Sequence, residues 1–407
     1  MKQIPFSPPY IDKDVIDEVV SCLNSGWITT GPKVKALEEA IASYTGIPNI
    51  LCVNSWTSGA IMILKWLGVK EGDEVIVPAY TYSATALSVM HCGAIPVMVD
   101  VNDEFVISLN AVRKAVTSKT KAIIPVDFAG WPCDNNALLN LVREPEILKL
   151  FNPDSEIQRK LNRILILSDS AHSFGASQNG MSSVALSDIS IFSLHAVKNL
   201  TTAEGGAICL YLPEPFDNGV VYKYLRMMTL NGQTKDAYSK TVIGGWKYDI
   251  VMQGMKINMP DICAAIGLAQ IKKYGKIMIE RKRVFERYSQ LLKKFPWAQL
   301  PPQDNKTQTS SYHLYALRIH KITEKQRDLM VNEISNSGIS VNVHFIPMPM
   351  LSLFKEHGYR IEDFPVSYDN YSREVSLPIY PQLTNSQIDY IVEKVAESYH
   401  LVAERND

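Results

Sequence analysis

One lysine in this chain has neighbours suited to covalent chemistry. Lys198 lies in Ser-Leu-His-Ala-Val-Lys-Asn-Leu-Thr-Thr-Ala-Glu-Gly-Gly (193–206), between the apolar runs Ile189–Phe192 and Ala207–Leu210. A lysine amine in a partly desolvated setting can form a Schiff base with a carbonyl cofactor. Two other polar groups also stand just after apolar runs. Asn54-Ser55-Trp56-Thr57-Ser58-Gly59 follows Ile50–Val53 and opens a helical pattern at Ala60, Ile61, Leu64 and Leu67. Hydroxyls and backbone N–H groups at a helix N-terminus can receive a phosphate. Asp169, in Leu-Ser-Asp-Ser-Ala-His, follows Ile164–Leu167. An acid there can pair with a protonated pyridine nitrogen, and His172 is placed to orient it. Each group alone has an ordinary reading: an N-cap, an Asp capping a turn, a solvated lysine. Together they are the three parts that hold pyridoxal phosphate.

These groups need a scaffold, and the hydrophobic pattern supplies one. Short apolar runs recur at Ile50–Val53, Val75–Val77, Pro96–Val99, Ala122–Val126, Ile164–Leu167, Ile189–Phe192 and Ala207–Leu210. Helical patterns separate many of them, which predicts a three-layer αβα domain around a mostly parallel, seven-stranded sheet. Ligands bind beyond the carboxyl ends of such strands, where all three polar groups fall. Ile11, Val15, Val19 and Leu23, with Ile16 and Val20, predict an amphipathic first helix, and Val34, Leu37, Ala40, Ile41 and Tyr44 a second. A long amphipathic helix over Ile271–Phe295 links residues 1–270 to a small C-terminal α+β domain over 271–407. There the pattern predicts strand Tyr312–Ile319, helix Glu324–Ser337, strand Ile339–Phe345 and a final helix near Asn385–His400. Asn135–Asn162 is long for a connection and reads as a partly helical surface elaboration.

Composition narrows the function classes. The 407 residues are 46% hydrophobic and 20% charged, with a net charge of -1, which gives no reason to expect nucleic acid or an anionic membrane as partner. No apolar run approaches the roughly 18–20 residues needed to span a bilayer. The N-terminus lacks a signal-peptide core, and the six scattered cysteines suggest free thiols in a cytoplasmic protein. Gly26–Lys33 imitates a P-loop, but Pro32 precedes the lysine, Val34 replaces the Ser/Thr and no strand leads into it. No Gly-x-Gly-x-x-Gly fingerprint occurs. The histidines show no metal-binding spacing, so no metal is expected.

Several motifs carry a family resemblance across nearly the whole chain. They are Gly-Trp-Ile-Thr-Thr-Gly-Pro (26–32), Gly-Asp-Glu-Val-Ile-Val-Pro (72–78), Pro-Val-Met-Val-Asp (96–100), Thr-Lys-Ala-Ile-Ile-Pro-Val (120–126), Asp-Ser-Ala-His (169–172), the lysine segment 193–206 and Asn-Met-Pro-Asp-Ile-Cys-Ala-Ala-Ile-Gly (258–267). The chain resembles the DegT/StrS family of pyridoxal-phosphate-dependent nucleotide-sugar aminotransferases, which have the fold-type I architecture. By that resemblance Lys198 would bind the cofactor covalently and Asp169 would pair with its ring nitrogen. Thr57, Ser58 and Ser193 would hold its phosphate, with Tyr82 stacked on its ring and His172 nearby. Asn258 would reach the phosphate from the partner subunit, which implies a homodimer with shared sites. His344, His195 and the Trp27–Thr30 loop, Thr29 included, would line the substrate site.

The segment His-Ala-x-Lys-x-x-Thr-x-Ala-Glu-Gly-Gly is similar to enzymes that aminate C4 of a UDP-linked 4-keto sugar with L-glutamate as donor, for surface polysaccharide or amino-sugar biosynthesis. Examples are enzymes making precursors of 4-amino-4-deoxyarabinose or pseudaminic acid. Dehydratases of the family replace the lysine by histidine, and Lys198 argues against that branch. Asp127 stands where many relatives have histidine, and Ile346 where some present a charge. Two alternatives remain at this point. One is a lyase or other pyridoxal enzyme acting on amino acids. The other is a non-catalytic sensor, for which a fused basic DNA-binding segment is the usual mark, and none is evident.

Overall fold

The computed structural model of the protein describes residues 3–235 and 246–403. Seven strands form the large sheet: β1 (Asn49–Val53), β2 (Glu74–Pro78), β3 (Ile95–Val99), β4 (Thr120–Ile123), β5 (Leu165–Asp169), β6 (Ile189–Ser193) and β7 (Gly206–Leu210). Their order is β1-β7-β6-β5-β4-β2-β3. β7 runs antiparallel to both β1 and β6, and the pairs from β6 to β3 are parallel. The seven expected strands are all present, shifted by one to three residues at their ends.

Strict alternation explains why both faces must be covered. Leu51, Val53, Val75, Val77, Leu165, Leu167, Ile189, Ile191, Ile208 and Leu210 point into one core, which the helix Trp56–Leu67 closes. On the other face Ile50, Cys52, Phe192, Ala207 and Cys209 pack against the helices Pro32–Thr45 and Asp261–Ile271. Ile76, Ile123, Ile164 and Ile166 extend that face and pack on residues 138–151. Period-two side chains buried on both sides are what a parallel sheet between helical layers requires.

Residues 135–162 are therefore more than surface decoration. They form three short helices, Asn135–Leu141, Pro145–Leu150 and Glu156–Leu161. Leu138, Leu141, Ile147 and Phe151 complete the sheet's outer core. Gln158 is fully buried, and its amide donates to the Leu67 carbonyl at 3.1 Å. The sequence reading missed this because a burying helix of six or seven residues shows fewer than two periods.

The C-terminal part has its own core, built from Val284, Phe285, Tyr288, Leu317, Val375, Ile388 and Val392 among others. The linking helix is Tyr274–Leu292, shorter than expected. A three-stranded antiparallel sheet joins β8 (Ala298–Gln299), β9 (Tyr315–Ile319) and β10 (Glu374–Leu377). Ile339–Phe345, expected as a strand, makes only isolated bridges, Ile339 with Ile4 and Asn342 with Ser376. The third strand is β10, where a buried Glu374 interrupts the apolar pattern. Ile4 also packs in this core, so the N-terminus returns to the C-terminal part. Among the described residues no helix is long and apolar enough to cross a membrane.

The first helix, Lys13–Asn24, buries Val15 and Cys22. Ile16, Val20 and Leu23, expected on its inner face, are 54%, 46% and 50% exposed. Ile28 beside them is 52% exposed. The helix is amphipathic, but in the single chain part of its apolar stripe faces outward.

Candidate active site

The three polar groups meet at the carboxyl ends of parallel strands. The helix Trp56–Leu67 starts three residues after β1, where Ser55 Oγ caps it by accepting the Ser58 N–H at 3.1 Å. Asp169 is the last residue of β5. Lys198 lies on the connection from β6 to β7. That connection is folded tightly: Leu194 N–H donates to the Gly205 carbonyl at 2.9 Å, Thr202 N–H to the Leu194 carbonyl at 2.8 Å, and Lys198 N–H to the His195 carbonyl at 2.9 Å. The lysine is thereby held on a short turn over the sheet edge.

A cavity of about 500 Å³ joins these groups, a size ordinary for a cofactor or small-ligand site. Thr57, Tyr82, Asp169, His172, Ser193, His195, Lys198 and His344 all line it. Three expected residues do not. Ser58 Oγ is engaged with Ser55 and Asn54. Asn258 donates to Thr30 Oγ1. Thr29 is exposed, and its carbonyl accepts the Asp261 N–H at 3.2 Å.

Asp169 is 5% exposed. Its Oδ2 accepts from Thr85 Oγ1 at 2.9 Å and its Oδ1 from the Ala171 N–H at 3.1 Å. His172 does not orient this carboxylate as the sequence suggested. Its Nδ1 instead accepts the Ala129 N–H at 3.2 Å, and its ring packs 4.3 Å from that of His313. Thr85 is 84 residues away in sequence, so no spacing could have indicated it. Burial pushes the Asp169 carboxyl up to about 7, against the Ala171 and Thr85 hydrogen bonds and the Lys198 charge. Burial lowers the Lys198 amine to about 8, opposed by Asp169. Each group therefore titrates near neutrality, as proton-transfer groups do.

Asp127 braces Asp169 from behind. It donates its N–H to the Asp169 carbonyl at 3.0 Å, and its carboxylate accepts from Ser173 Oγ at 2.6 Å and the Cys133 N–H at 2.8 Å. Around the rim, Tyr82 is 62% exposed with its ring 5.9 Å from Phe345. His195 lies 3.6 Å from the Glu204 carboxylate. Phe6 and Ser7 reach the cavity from the N-terminus, and His313 and Leu314 from the C-terminal part. A helix N-terminus for an anion, a carboxyl for a ring nitrogen and an amine for a carbonyl thus share one cavity, and the residues fit pyridoxal phosphate.

The profile of the DegT/DnrJ/EryC1/StrS aminotransferase family matches residues 9–152 and 155–396. The chain belongs to this family. As a DegT/DnrJ/EryC1/StrS aminotransferase it uses pyridoxal phosphate. It is 32% identical over 400 residues to the spore coat polysaccharide biosynthesis protein SpsC of Bacillus subtilis, covering 97% of this chain and 96% of that one. Among solved structures it is similar to Spr1654 of Streptococcus pneumoniae, described as a sugar aminotransferase. The PMP form has a TM-score of 0.94 at 40% identity, covering 98% of this chain and 100% of that one. The PLP form has a TM-score of 0.93 at 39% identity, covering 98% and 99%. PseC of Helicobacter pylori, an aminotransferase involved in the biosynthesis of pseudoaminic acid, has a TM-score of 0.84 at 25% identity, covering 98% and 100%. The family's fold accounts for the mostly parallel sheet and the strand-end site.

Proposed function

We propose that this aminotransferase moves the amino group of L-glutamate to the C4 ketone of a nucleotide-linked, UDP-type 4-keto sugar, in the biosynthesis of an amino sugar or surface polysaccharide. The observation that carries the reading is the meeting of Lys198, Asp169 and the Thr57 helix end in one cavity. The names of SpsC, Spr1654 and PseC support a sugar as acceptor.

Pyridoxal phosphate supplies a carbonyl that takes up an amino group and a ring that draws electrons from the bond being broken. Thr57, Ser193 and the N–H groups at the start of the helix Trp56–Leu67 receive the phosphate. Asp169 keeps the ring nitrogen protonated by close-range charge attraction. Tyr82 covers a ring face. Lys198 Nζ, titrating near pH 8, takes the α-proton of the amino donor and later delivers a proton to the sugar carbon. His195 and His344 line the sugar side.

The active unit is a homodimer in which Asn258 acts at the partner's site and the Trp27–Thr30 loop lies at its border. The outward Ile16, Val20, Leu23 and Ile28 support this, because an apolar stripe of that kind marks an interface. The protein works in the cytoplasm.

The test is a panel of UDP-, dTDP- and GDP-linked keto sugars incubated with holoenzyme and glutamate, read by cofactor absorbance and product mass. The expected result is a mass gain matching amine for ketone on a UDP-linked member. Turnover of amino acids without any sugar acceptor would instead favour the lyase reading.

A further inference from the structure

A carboxyl, a hydroxyl and an imidazole stand in a row from the C-terminal core to the catalytic cavity. Glu374, the first residue of β10, is fully buried. Its Oε2 accepts the backbone N–H of His344 at 3.0 Å, and its Oε1 accepts from Ser376 Oγ. Ser376 Oγ lies 2.9 Å from His344 Nδ1. The His344 carbonyl accepts from Tyr80 Oη, so both main-chain polar groups of His344 are held while its ring lines the cavity. The charged and titratable groups facing this row are Arg318, Arg327 and Tyr80 around Glu374, and Lys198, His172 and His313 across the cavity from His344. Arg327 Nη1 donates to the Glu374 carbonyl, and Arg318 Nη1 to Asn370. Burial still raises the Glu374 carboxyl to about 8, against Ser376, the His344 N–H and the two arginines. Burial and the Lys198 charge lower the His344 ring to about 3, so it is neutral.

The protons in this row can be counted. A serine hydroxyl has one proton, and a neutral imidazole has one N–H. When Glu374 is ionised, the Ser376 proton goes to it, so Ser376 can only accept from His344. Nδ1 then carries the ring proton, and Nε2 is a bare acceptor. When Glu374 is protonated, its proton goes to Ser376 and the Ser376 proton goes to Nδ1. Nε2 then carries the ring proton and is a donor.

We propose that Glu374, acting through Ser376, sets which nitrogen of His344 is protonated, and so whether His344 Nε2 offers the cavity a donor or an acceptor. This rests on the keto-sugar reading for its use in the reaction. The C4 oxygen of the sugar must leave as water, which requires protons. His344 Nε2–H gives one to that oxygen as Ser376 protonates Nδ1 and Glu374 reprotonates Ser376. Nε2, left bare, takes back one of the two protons shed by the nitrogen that bonds to C4, restoring Ser376 and Glu374 in turn. A second pass of the row carries the other, so both protons of the departing water come from that nitrogen and no electrons change owner. Glu374 and Ser376 are positioning residues, because they act on the substrate only through His344.

The test uses holoenzyme carrying ¹⁵N-histidine, with the His344 ring signals identified by their loss in His344→Gln. In the wild type the Nε2–H form is expected well below pH 8 and the Nδ1–H form well above it. Glu374→Gln should hold the Nε2–H form throughout, because its amide donates to Ser376 and cannot ionise. Ser376→Ala should remove the transition too, and it serves if Glu374→Gln does not fold. One tautomer at every pH in the wild type, or a wild-type transition in either variant, overturns the proposal. This reading needs no sugar, so failure of the keto-sugar assignment shows separately as a panel without amination. With an accepted sugar, Glu374→Gln and Ser376→Ala should lose the kcat limb near pH 8 and about 10- to 100-fold in kcat, with KM within about twofold. A kcat limb unchanged in both variants also counts against the relay.

Discussion

At Lys198 and Asp169 the same burial pulls an amine down and pushes a carboxyl up. Lys198→Ala should abolish turnover, and Asp169→Asn should lower kcat by about 100-fold or more, since proton-transfer groups contribute on that scale. Steady-state rates on an accepted substrate check both. Asp169 also makes a stability prediction for the apoprotein. Its folded pKa, about 7, lies above the ordinary 3.8. Between those values the native state binds more protons than the unfolded state, so stability falls as pH rises. The contribution is fully present below about pH 4 and is gone above about pH 7. Relative to wild type, apo Asp169→Asn should therefore gain stability across that window and then level off. Melting temperatures at a series of pH values read this, and a difference that stays flat from pH 4 to 7 would argue against the burial account. The pair was legible in the sequence because each residue follows a strand. Thr85, Ser376 and Glu374 were not, because they reach the site only through tertiary contacts, and Asp127 stood out only as a departure from the family pattern.

Among the elements, close approach of strands limits what can change. Gly206, first in β7, pairs with Val53 on one side and Ser193 on the other. A Cβ there would meet the Ser55 carbonyl carbon at 2.8 Å and the Trp56 nitrogen at 2.9 Å. Backbone cannot swing aside as a side chain can, so Gly206→Ala should destabilise by about 1–3 kcal/mol. It should also weaken cofactor binding by shifting the helix end proposed to cradle the phosphate. Thermal melting and fluorescence titration of pyridoxal phosphate check these two effects. Gln158→Ala would leave the Leu67 carbonyl, and the Asp154 N–H that Gln158 accepts at 2.8 Å, without this partner. The Leu67 carbonyl keeps Ser155 Oγ as a donor at 2.6 Å, so the loss is that of two net hydrogen bonds, about 1–3 kcal/mol together. A Gln158→Ala protein as stable as wild type in urea would return residues 135–162 to the status of decoration. The large sheet was readable because its strands are unbroken apolar runs with turns at both ends. The C-terminal sheet was less so: β10 contains a buried glutamate, and the apolar segment 339–345 mimics a strand while only bridging its neighbours.

For the whole molecule, the proposed homodimer makes the outward stripe of the first helix the place to test how many chains make one working unit. Ile16→Glu with Val20→Glu places charge on the outward stripe and leaves the inner Val15 and Cys22 untouched. The double variant should sediment as a monomer, keep its fold and lose activity. An active double variant that still sediments as a dimer would move the interface elsewhere. The sequence revealed this helix but not which side of it faces inward, because a stripe wide enough for two contacts has no unique direction. A last consequence follows from the antiparallel β7. Lys198 hangs from the β6–β7 turn, and the helix end proposed to receive the phosphate follows β1, the other neighbour of β7. A cofactor joined to both acts as a clasp across three strands at one edge of the sheet. Its departure should therefore loosen that edge while the β2–β3 edge stays tight. Faster amide exchange confined to Ile191, Phe192, Ala207 and Ile208 would be the sign of the opened clasp.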